Sequence, residues 1–181
     1  PRILIIVPTR ELVLQVVENV KEITKYMSIR VLGVFGGSNI KTQAQSVAQG
    51  CDVLVATPGR LYDLALNRAL QLKEIKKLVI DEVDEMLNLG FRSQLITLLD
   101  LLPKNRQSIL FSATLTKEVD SLIQEFFKSP VKIEIASSGS PLDTIKQEAY
   151  PVPNFYTKVN LLKHLISDKE SFSKVLVFVS S

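Results

Sequence analysis

A short apolar run that ends in acidic residues constrains the fold of this chain more than any other feature. Residues 78–80 are Leu, Val and Ile, and they lead directly into Asp81 and Glu82, with Asp84 following soon after. So short a run with β-branched members is typical of a buried strand in a parallel sheet. Across residues 83–102 the apolar residues recur at three- and four-residue steps, which predicts an amphipathic helix. The acids therefore lie where a strand's carboxyl end meets a helix, which is where open α/β sheets bind ligands.

The acidic pair allows two interpretations. Two charged carboxylates at the rim of an apolar core are costly unless a cation neutralises them. Mg²⁺ carrying nucleotide phosphates is the usual partner, because Mg²⁺ takes one or two carboxylates and keeps several waters. In that interpretation Asp81 holds the metal through its water shell, and Glu82 deprotonates the water that attacks the γ-phosphate. The alternative is structural, because most acid pairs after strands are solvated turn residues or helix caps.

The same succession of strand and helix repeats along the chain. Strands that alternate with helices imply right-handed βαβ units, so we predict an α/β fold with a three-layer parallel sheet and helices on both faces. Helices are predicted after most of the strands, the first of them with residues 12, 16, 20, 23 and 27 on one face. Residues 57–60 are predicted to form a turn before a short helix over 61–66. The predicted strands are 3–7, 30–35, 52–56, 78–80, 107–111 and 131–135.

Composition excludes several classes of protein. The single cysteine, Cys51, rules out an internal disulfide framework and suits a reducing compartment. We therefore expect a cytoplasmic protein, or a nuclear one if the organism is a eukaryote. No apolar run approaches the length of a membrane span, so no membrane partner is expected. The net charge of +3 permits a polyanionic partner without arguing for one.

The chain is predicted to contain two domains, neither of them complete. Residues 136–144 contain three Ser, one Gly and one Pro within their first six positions and form the one stretch with the composition of a linker. The first predicted domain is therefore 1–135 and the second is 145–181. The second would contain strands over 145–152 and 175–179 with a helix over 156–166. Because the chain begins at Pro1, inside a predicted strand, we expect it to be a piece of a longer protein.

Short motifs fall at the predicted corners between strands and helices, and such corners in a parallel sheet open on one edge. Each motif is weak alone, but in this order they resemble those of the DEAD-box family of ATP-dependent RNA helicases, within helicase superfamily 2. The resemblance covers nearly the whole chain. The matching stretches are 8–15 (motif Ia), Gly36-Gly37 (the Gly-Gly motif), 57–60 (motif Ib), 81–84 (motif II), 112–114 (motif III) and 175–181 (the opening of motif IV).

The resemblance implies a RecA-like fold of the P-loop NTPase type, ATP and Mg²⁺ as cofactors, and RNA as the partner. Asp81 and Glu82 would be the catalytic residues, with Asp81 holding Mg²⁺ through water. Asp84 would hydrogen-bond Ser112 and Thr114 and so couple the nucleotide site to movement between domains. The residues implied to hold the sugar-phosphate backbone of one RNA strand are Pro8, Thr9, Arg10, Gly36, Gly37, Thr57, Pro58, Gly59 and Arg60.

Two departures from the family pattern qualify this interpretation. Val83 replaces the usual Ala of motif II, and none of the seven glycines is followed by Lys, so the chain has no G-x-x-x-x-G-K-[ST] phosphate loop. We therefore predict a fragment of an ATP-dependent RNA helicase that is inactive alone. The alternatives are a DNA-directed superfamily 2 helicase and a non-catalytic RNA clamp or scaffold. The stretches 8–12 and 57–60 favour the RNA branch of the superfamily.

Overall fold

A five-stranded, fully parallel sheet organises the first part of the chain in the computed structural model, which describes residues 1–135, 145–170 and 172–179. Contacts divide the chain into two units, Pro1–Lys132 and Ile133–Ser181. The strands of the first unit are β1 (Ile3–Ile6), β2 (Val31–Val34), β3 (Val53–Ala56), β4 (Lys77–Ile80) and β5 (Gln107–Leu110). Their order across the sheet is β2-β3-β1-β4-β5, which confirms the predicted parallel α/β architecture.

All five strands end level with one another. Ile6 at the end of β1 pairs with Ala56 on one side and with Ile80 on the other. Ala56 in turn pairs with Val34, and Ile80 pairs with Leu110. The segments that follow the strands therefore all leave the sheet at one edge, which we call the carboxyl edge.

Helices cover both faces of the sheet, as predicted. On β1, Leu4 and Ile6 join the larger apolar cluster, which contains buried residues of the second to sixth helices, while Ile3 and Ile5 pack into a smaller cluster under the first helix. This alternation follows from the two-residue period of a strand. Among the described residues, no helix is long and apolar enough to cross a membrane. The helices of the first unit are α1 (Arg10–Ile23), α2 (Ile40–Ala48), α3 (Pro58–Leu66), α4 (Val83–Asn88), α5 (Arg92–Leu101) and α6 (Lys117–Phe126).

The first helix is shorter than predicted, and its buried face is shifted. Val13 and Val17 are its buried residues, while Ile23 and Met27 are 79% and 61% exposed. The helix ends at Ile23, and the next residue, Thr24, donates from both its amide and its hydroxyl to the Val20 carbonyl oxygen, at 2.9 and 2.7 Å. The helical spacing located the helix but not its last turn.

Two further boundaries differ from the prediction for local reasons. The single helix expected over 83–102 is two helices, because Gly90 has φ 82° and ends α4 in a Schellman motif. In that motif the Phe91 amide donates to the Met86 carbonyl oxygen at 3.0 Å. The turn predicted over 57–60 is instead the beginning of α3, with Pro58 in the first turn, where its missing N–H costs nothing.

Three predicted strands are wrong. Residues 131–135, 145–152 and 175–179 are all described, and none of them forms a strand. Val131, Ile133 and Ile135 are more than 80% exposed. A strand needs a neighbouring strand to be stable, and none of these apolar runs belongs to the five-stranded sheet.

The described residues of the second unit contain one helix, α7 (Phe155–Leu165), close to the helix predicted over 156–166. Asn154 caps it by accepting a hydrogen bond from the Thr157 amide at 2.9 Å. The linker predicted over 136–144 lies outside the described residues. The assignment of 1–135 and 145–181 to two helicase domains stays a prediction.

Gly33 on β2 provides the first testable prediction. An added Cβ would lie 2.9 Å from Val13 Cγ1 and 3.0 Å from Val17 Cγ2, both on stiff β-branched side chains. We expect Gly33→Ala to lower the free energy of unfolding by about 1–3 kcal/mol, measured by urea denaturation. Gly36→Ala is the control, because nothing lies within 4 Å of its added Cβ. A Gly33→Ala variant as stable as the control would contradict this account of the α1 contact.

Candidate functional site

The sheet order sorts the predicted site residues into two groups along the carboxyl edge. The stretches after β2, β3 and β1 contain the glycines, Thr57 and Arg10, and the stretches after β4 and β5 contain Asp81, Glu82 and the hydroxyls of 112–114. The central strand β1 has β3 on one side and β4 on the other, so the two groups adjoin. The same division exists in the sequence, where the first group lies within residues 8–60 and the second within residues 81–114.

The acidic pair is presented to solvent. Glu82 is exposed and occupies the N-cap position of α4, but its side chain makes no capping hydrogen bond. Asp81 is half-buried, and its Oδ1 accepts a hydrogen bond from the Glu82 amide at 2.9 Å. The interpretation of Glu82 as a helix cap therefore finds no support in the geometry, and its carboxylate is available to other groups.

The backbone at Glu82 is strained. Its φ of 52° and ψ of 49° place it in the left-handed region, where a residue with a Cβ is about 1–2 kcal/mol less stable than in the right-handed one. This conformation turns the chain sharply from β4 into α4. Strain of this kind persists where the surrounding structure enforces it, and it is concentrated at functional sites. Nothing in the sequence indicated it.

Two hydrogen bonds join the start of α4 to the segment after β5. Asp84 Oδ2 accepts from the Thr114 amide at 2.9 Å and from the Thr114 hydroxyl at 2.8 Å. The Ser112 hydroxyl, also expected to bond Asp84, donates to the Thr114 carbonyl oxygen at 2.7 Å and so braces the same turn. The expected link from Asp84 to Thr114 is thus present, while its role in coupling stays a prediction.

The pKa of Asp84 reflects these bonds. Partial burial pushes the pKa up, but hydrogen bonds from the Thr114 hydroxyl and amide, with smaller contributions from Ser112 and the Glu85 backbone, outweigh burial. The pKa of Asp84 therefore lies below its ordinary value of 3.8. A carboxylate held by donors in this way is ionised at neutral pH.

The turn after β2 offers unpaired backbone donors. Gly37 has φ 76°, a conformation that glycine adopts without strain. Gly36 and Gly37 are exposed, and no hydrogen bond between described residues uses the amide N–H of either one. Free, exposed N–H groups at a strand end suit an anion.

The two candidate arginines have different surroundings. Arg10 is exposed, and its guanidinium lies over the Phe35 ring, 5.0 Å from the centroid. Arg60 is only 9% exposed, and its terminal nitrogens donate to Gln43 Oε1 at 2.8 Å and to the Ser38 carbonyl oxygen at 2.9 Å. No pattern in the sequence pointed to these partners, because they lie 17 and 22 positions away from Arg60.

The remaining candidates are anchored at their strand ends. The Thr9 hydroxyl caps α1 by accepting from the Leu12 amide at 3.3 Å. Pro8, Thr57 and Pro58 are buried, and Gly59 is half-buried. Their backbone groups lie at the carboxyl edge with the rest. The RNA contacts predicted for these residues stay predictions.

The acids fit Mg²⁺ only in the company of other ligands. No group of three or more His, Cys, Asp or Glu side chains in the described ranges is arranged to hold a metal ion. Mg²⁺ in nucleotide sites takes one or two carboxylates and completes its shell with waters and phosphates, so the donor set at Asp81 and Glu82 is of that type.

Comparisons with known proteins agree with the geometry. The family model described as "DEAD/DEAH box helicase" matches residues 1–122. "RNA helicase CrhR" of Synechocystis is 35% identical over 97% of this chain and 36% of its own length. "ATP-dependent RNA helicase RhlB" of Pseudomonas syringae is 37% identical over 99% of this chain and 46% of its own length. The chain thus spans less than half of each relative.

A solved structure shares the fold. The crystal structure of the yeast DEAD-box splicing factor Prp28 superposes with a TM-score of 0.67 and 36% sequence identity, over 71% of this chain and 31% of that one. This similarity confirms the RecA-like fold class predicted for the sheet.

The strain at Glu82 leads to a prediction about stability. Since only glycine adopts the left-handed conformation without strain, we expect Glu82→Gly to be more stable than Glu82→Ala by about 1 kcal/mol, measured by urea denaturation. At Glu18, exposed in the middle of α1, the order should reverse, with Gly about 1 kcal/mol less stable than Ala. The same order at both positions would mean that Glu82 is not strained.

The lowered pKa of Asp84 predicts a pH dependence. Because the folded-state pKa is depressed, the ionised carboxylate stabilises the fold above the unfolded-state value near 3.8, and this contribution is lost as the pH falls through the lower folded-state pKa. We expect Asp84→Asn to be less stable than the wild type at neutral pH, by less than about 1 kcal/mol because the side chain is partly exposed. The difference should shrink below pH 3.8, measured by denaturation at several pH values. A constant difference would show that the charge does not matter.

Proposed function

This chain belongs to the DEAD/DEAH box helicase family, and from that premise we propose that the complete protein is an ATP-dependent RNA helicase. In this proposal RNA-stimulated ATP hydrolysis is coupled to local unwinding of RNA duplexes. The observation that carries the proposal is the meeting of two groups on the carboxyl edge. The acids after β4 lie next to Arg10 after β1, and the exposed turn after β2 lies on the same edge two strands beyond β1, so one edge can serve a nucleotide and a nucleic acid together.

The nucleotide half of the surface is built around the acidic pair. Asp81 would hold Mg²⁺ through its water shell, with the phosphates of ATP as the remaining ligands. Bound Mg²⁺ would neutralise charge on the phosphates during their hydrolysis. The exposed Glu82 carboxylate, with no capping bond, would orient the attacking water and accept its proton.

The RNA half would hold one strand by its sugar-phosphate backbone. The free amides of Gly36 and Gly37 and the exposed guanidinium of Arg10 are donors that suit phosphate oxygens. Contacts of this kind carry no sequence information, so binding should be general and sensitive to salt.

The segment after β5 would couple the nucleotide half to movement between the domains. The double hydrogen bond from Thr114 to Asp84 ties that segment to the helix that starts beside the acids. A shift of the acids on hydrolysis would therefore be transmitted to the start of α6.

We place the protein in the cytoplasm, or in the nucleus of a eukaryote, where RNA is found.

The test of this proposal is ATP hydrolysis by the full-length protein, with and without RNA. Glu82→Gln keeps the shape of the side chain but removes the base, so turnover should fall by roughly 10²–10⁴-fold while RNA still binds. Glu85→Gln is the matched control, because Glu85 is an exposed acid on the same helix, and its turnover should be unchanged.

Three results would contradict the proposal in different ways. Unchanged turnover in Glu82→Gln would make Glu82 a structural acid. Stimulation by DNA in place of RNA would indicate a DNA-directed helicase. Binding of RNA by a wild-type protein that does not hydrolyse ATP would indicate a clamp or scaffold.

A further inference from the structure

We propose that Arg60 is a positioning residue, which holds the Gly36-Gly37 turn in the shape that binds RNA and does not itself contact phosphate. Gln43 is its partner in this role. The inference rests on the proposed RNA-binding function and deepens it, because it assigns different work to the two arginines of the carboxyl edge.

The contacts of Arg60 are directed inward, toward the turn. One terminal nitrogen donates to the Ser38 carbonyl oxygen at 2.9 Å and the other donates to Gln43 Oε1 at 2.8 Å. The side chain is only 9% exposed, and its Nε is buried without a partner. A guanidinium enclosed in this way has no open face toward a strand lying on the sheet edge.

Gln43 bonds the other end of the turn. We call the hydrogen bonds of Arg60 and Gln43 to this turn the bracket. Its Nε2 donates to the Phe35 carbonyl oxygen at 3.2 Å and also to the Ser38 hydroxyl. The Ser38 hydroxyl in turn donates to the same Phe35 carbonyl oxygen at 3.1 Å. Phe35 and Ser38 are the residues that flank the two glycines, so Arg60 and Gln43 fix both ends of the turn and leave its middle free.

The middle of the turn is where a bracket is needed. Two adjacent glycines lose more conformational freedom on ordering than any other pair, so an unsupported turn would be ordered only on binding RNA. Ordering a segment in advance removes that cost from the binding step. The bracket therefore presents the amides of Gly36 and Gly37 already in place.

The energetics of Arg60 also favour a role beyond stability. It forms no salt bridge with any described residue, and its acceptors are a neutral amide and a backbone carbonyl. Burying a charge against neutral partners is costly. Arg10 differs from Arg60, because Arg10 is exposed and its guanidinium lies over the Phe35 ring. Its donors are therefore open to a phosphate.

The test compares four single variants of the full-length protein, Arg60→Met, Gln43→Met, Arg10→Ala and Arg106→Met, and the double variant that combines Arg60→Met with Gln43→Met. Arg106 is the matched control, because like Arg60 it donates to a backbone carbonyl (Pro103, at 2.7 Å) and has a buried Nε that bonds no described residue, although its side chain is half-buried. It precedes β5 and so lies at the opposite edge of the sheet. The probe is a single-stranded oligouridine, whose affinity is measured over a range of salt concentrations.

We expect Arg60→Met and Gln43→Met each to weaken RNA affinity about tenfold, because that is the usual effect of losing one hydrogen bond. Neither variant should change the slope of RNA affinity against salt concentration. The double variant should lose little more than either single one, because both break one bracket. Arg10→Ala should instead lower the salt slope by about one phosphate contact. Arg106→Met should bind RNA like the wild type.

Three outcomes would overturn the inference. A fall of about one in the salt slope of Arg60→Met would show a direct phosphate contact. An equal loss of affinity in Arg106→Met would show general destabilisation, and unchanged affinity in Arg60→Met and Gln43→Met would show that the turn needs no bracket.

NMR relaxation separates this inference from the proposed function, because it needs no RNA. The backbone order parameters of the Gly36 and Gly37 amides should be lower in Arg60→Met and Gln43→Met than in the wild type and in Arg106→Met. A wild type that binds no oligouridine would refute the RNA-binding proposal, and lower order parameters in the two variants would still establish the bracket. Unchanged order parameters would overturn the bracket whatever RNA does.

Discussion

The hydrogen-bonded register of β1 with its two neighbours is the constraint on which the rest of this structure depends. Ile6 pairs with Ala56 and with Ile80, so the chain leaves all three central strands at one level. A slip of one residue in either pairing would turn the apolar side chains of a strand to the wrong face. The burial of both faces therefore fixes, as a by-product, the place where polar segments from distant parts of the sequence meet.

Two sets of hydrogen bonds between neighbouring segments give the carboxyl edge the geometry of a site. On the acidic side, the bonds between Asp84 and Thr114 secure the segment after β5 against the start of α4. On the basic side, Arg60 and Gln43 secure the turn after β2. In each case a side chain bonds backbone groups on another element, so the geometry of the edge does not rely on the loops alone. The strained Glu82 lies between these two braces in the order of the sheet.

The edge also shows why residue type is a poor guide to role. Arg10 and Arg60 each follow a strand, and each belongs to a short motif, yet one is exposed on an aromatic ring and the other is buried under a turn. Their difference comes from position within the helices that follow. Arg10 is the first residue of α1, whereas Arg60 is the third residue of α3. The Arg60 side chain is directed toward the turn after β2, as its bonds to Gln43 and Ser38 show.

The sequence by itself determined the parallel α/β class, the five strands of the sheet and the motifs at their ends, because these depend on short-range periodicity and on residue order. It overpredicted strands at 131–135, 145–152 and 175–179, because an apolar β-branched run does not reveal whether a neighbouring strand exists. Only the tertiary structure decided which side chains reach solvent at the carboxyl edge. The burial of Arg60, the strain at Glu82 and the bracket through Gln43 all arise from contacts between segments far apart in the chain, and no local pattern encodes them.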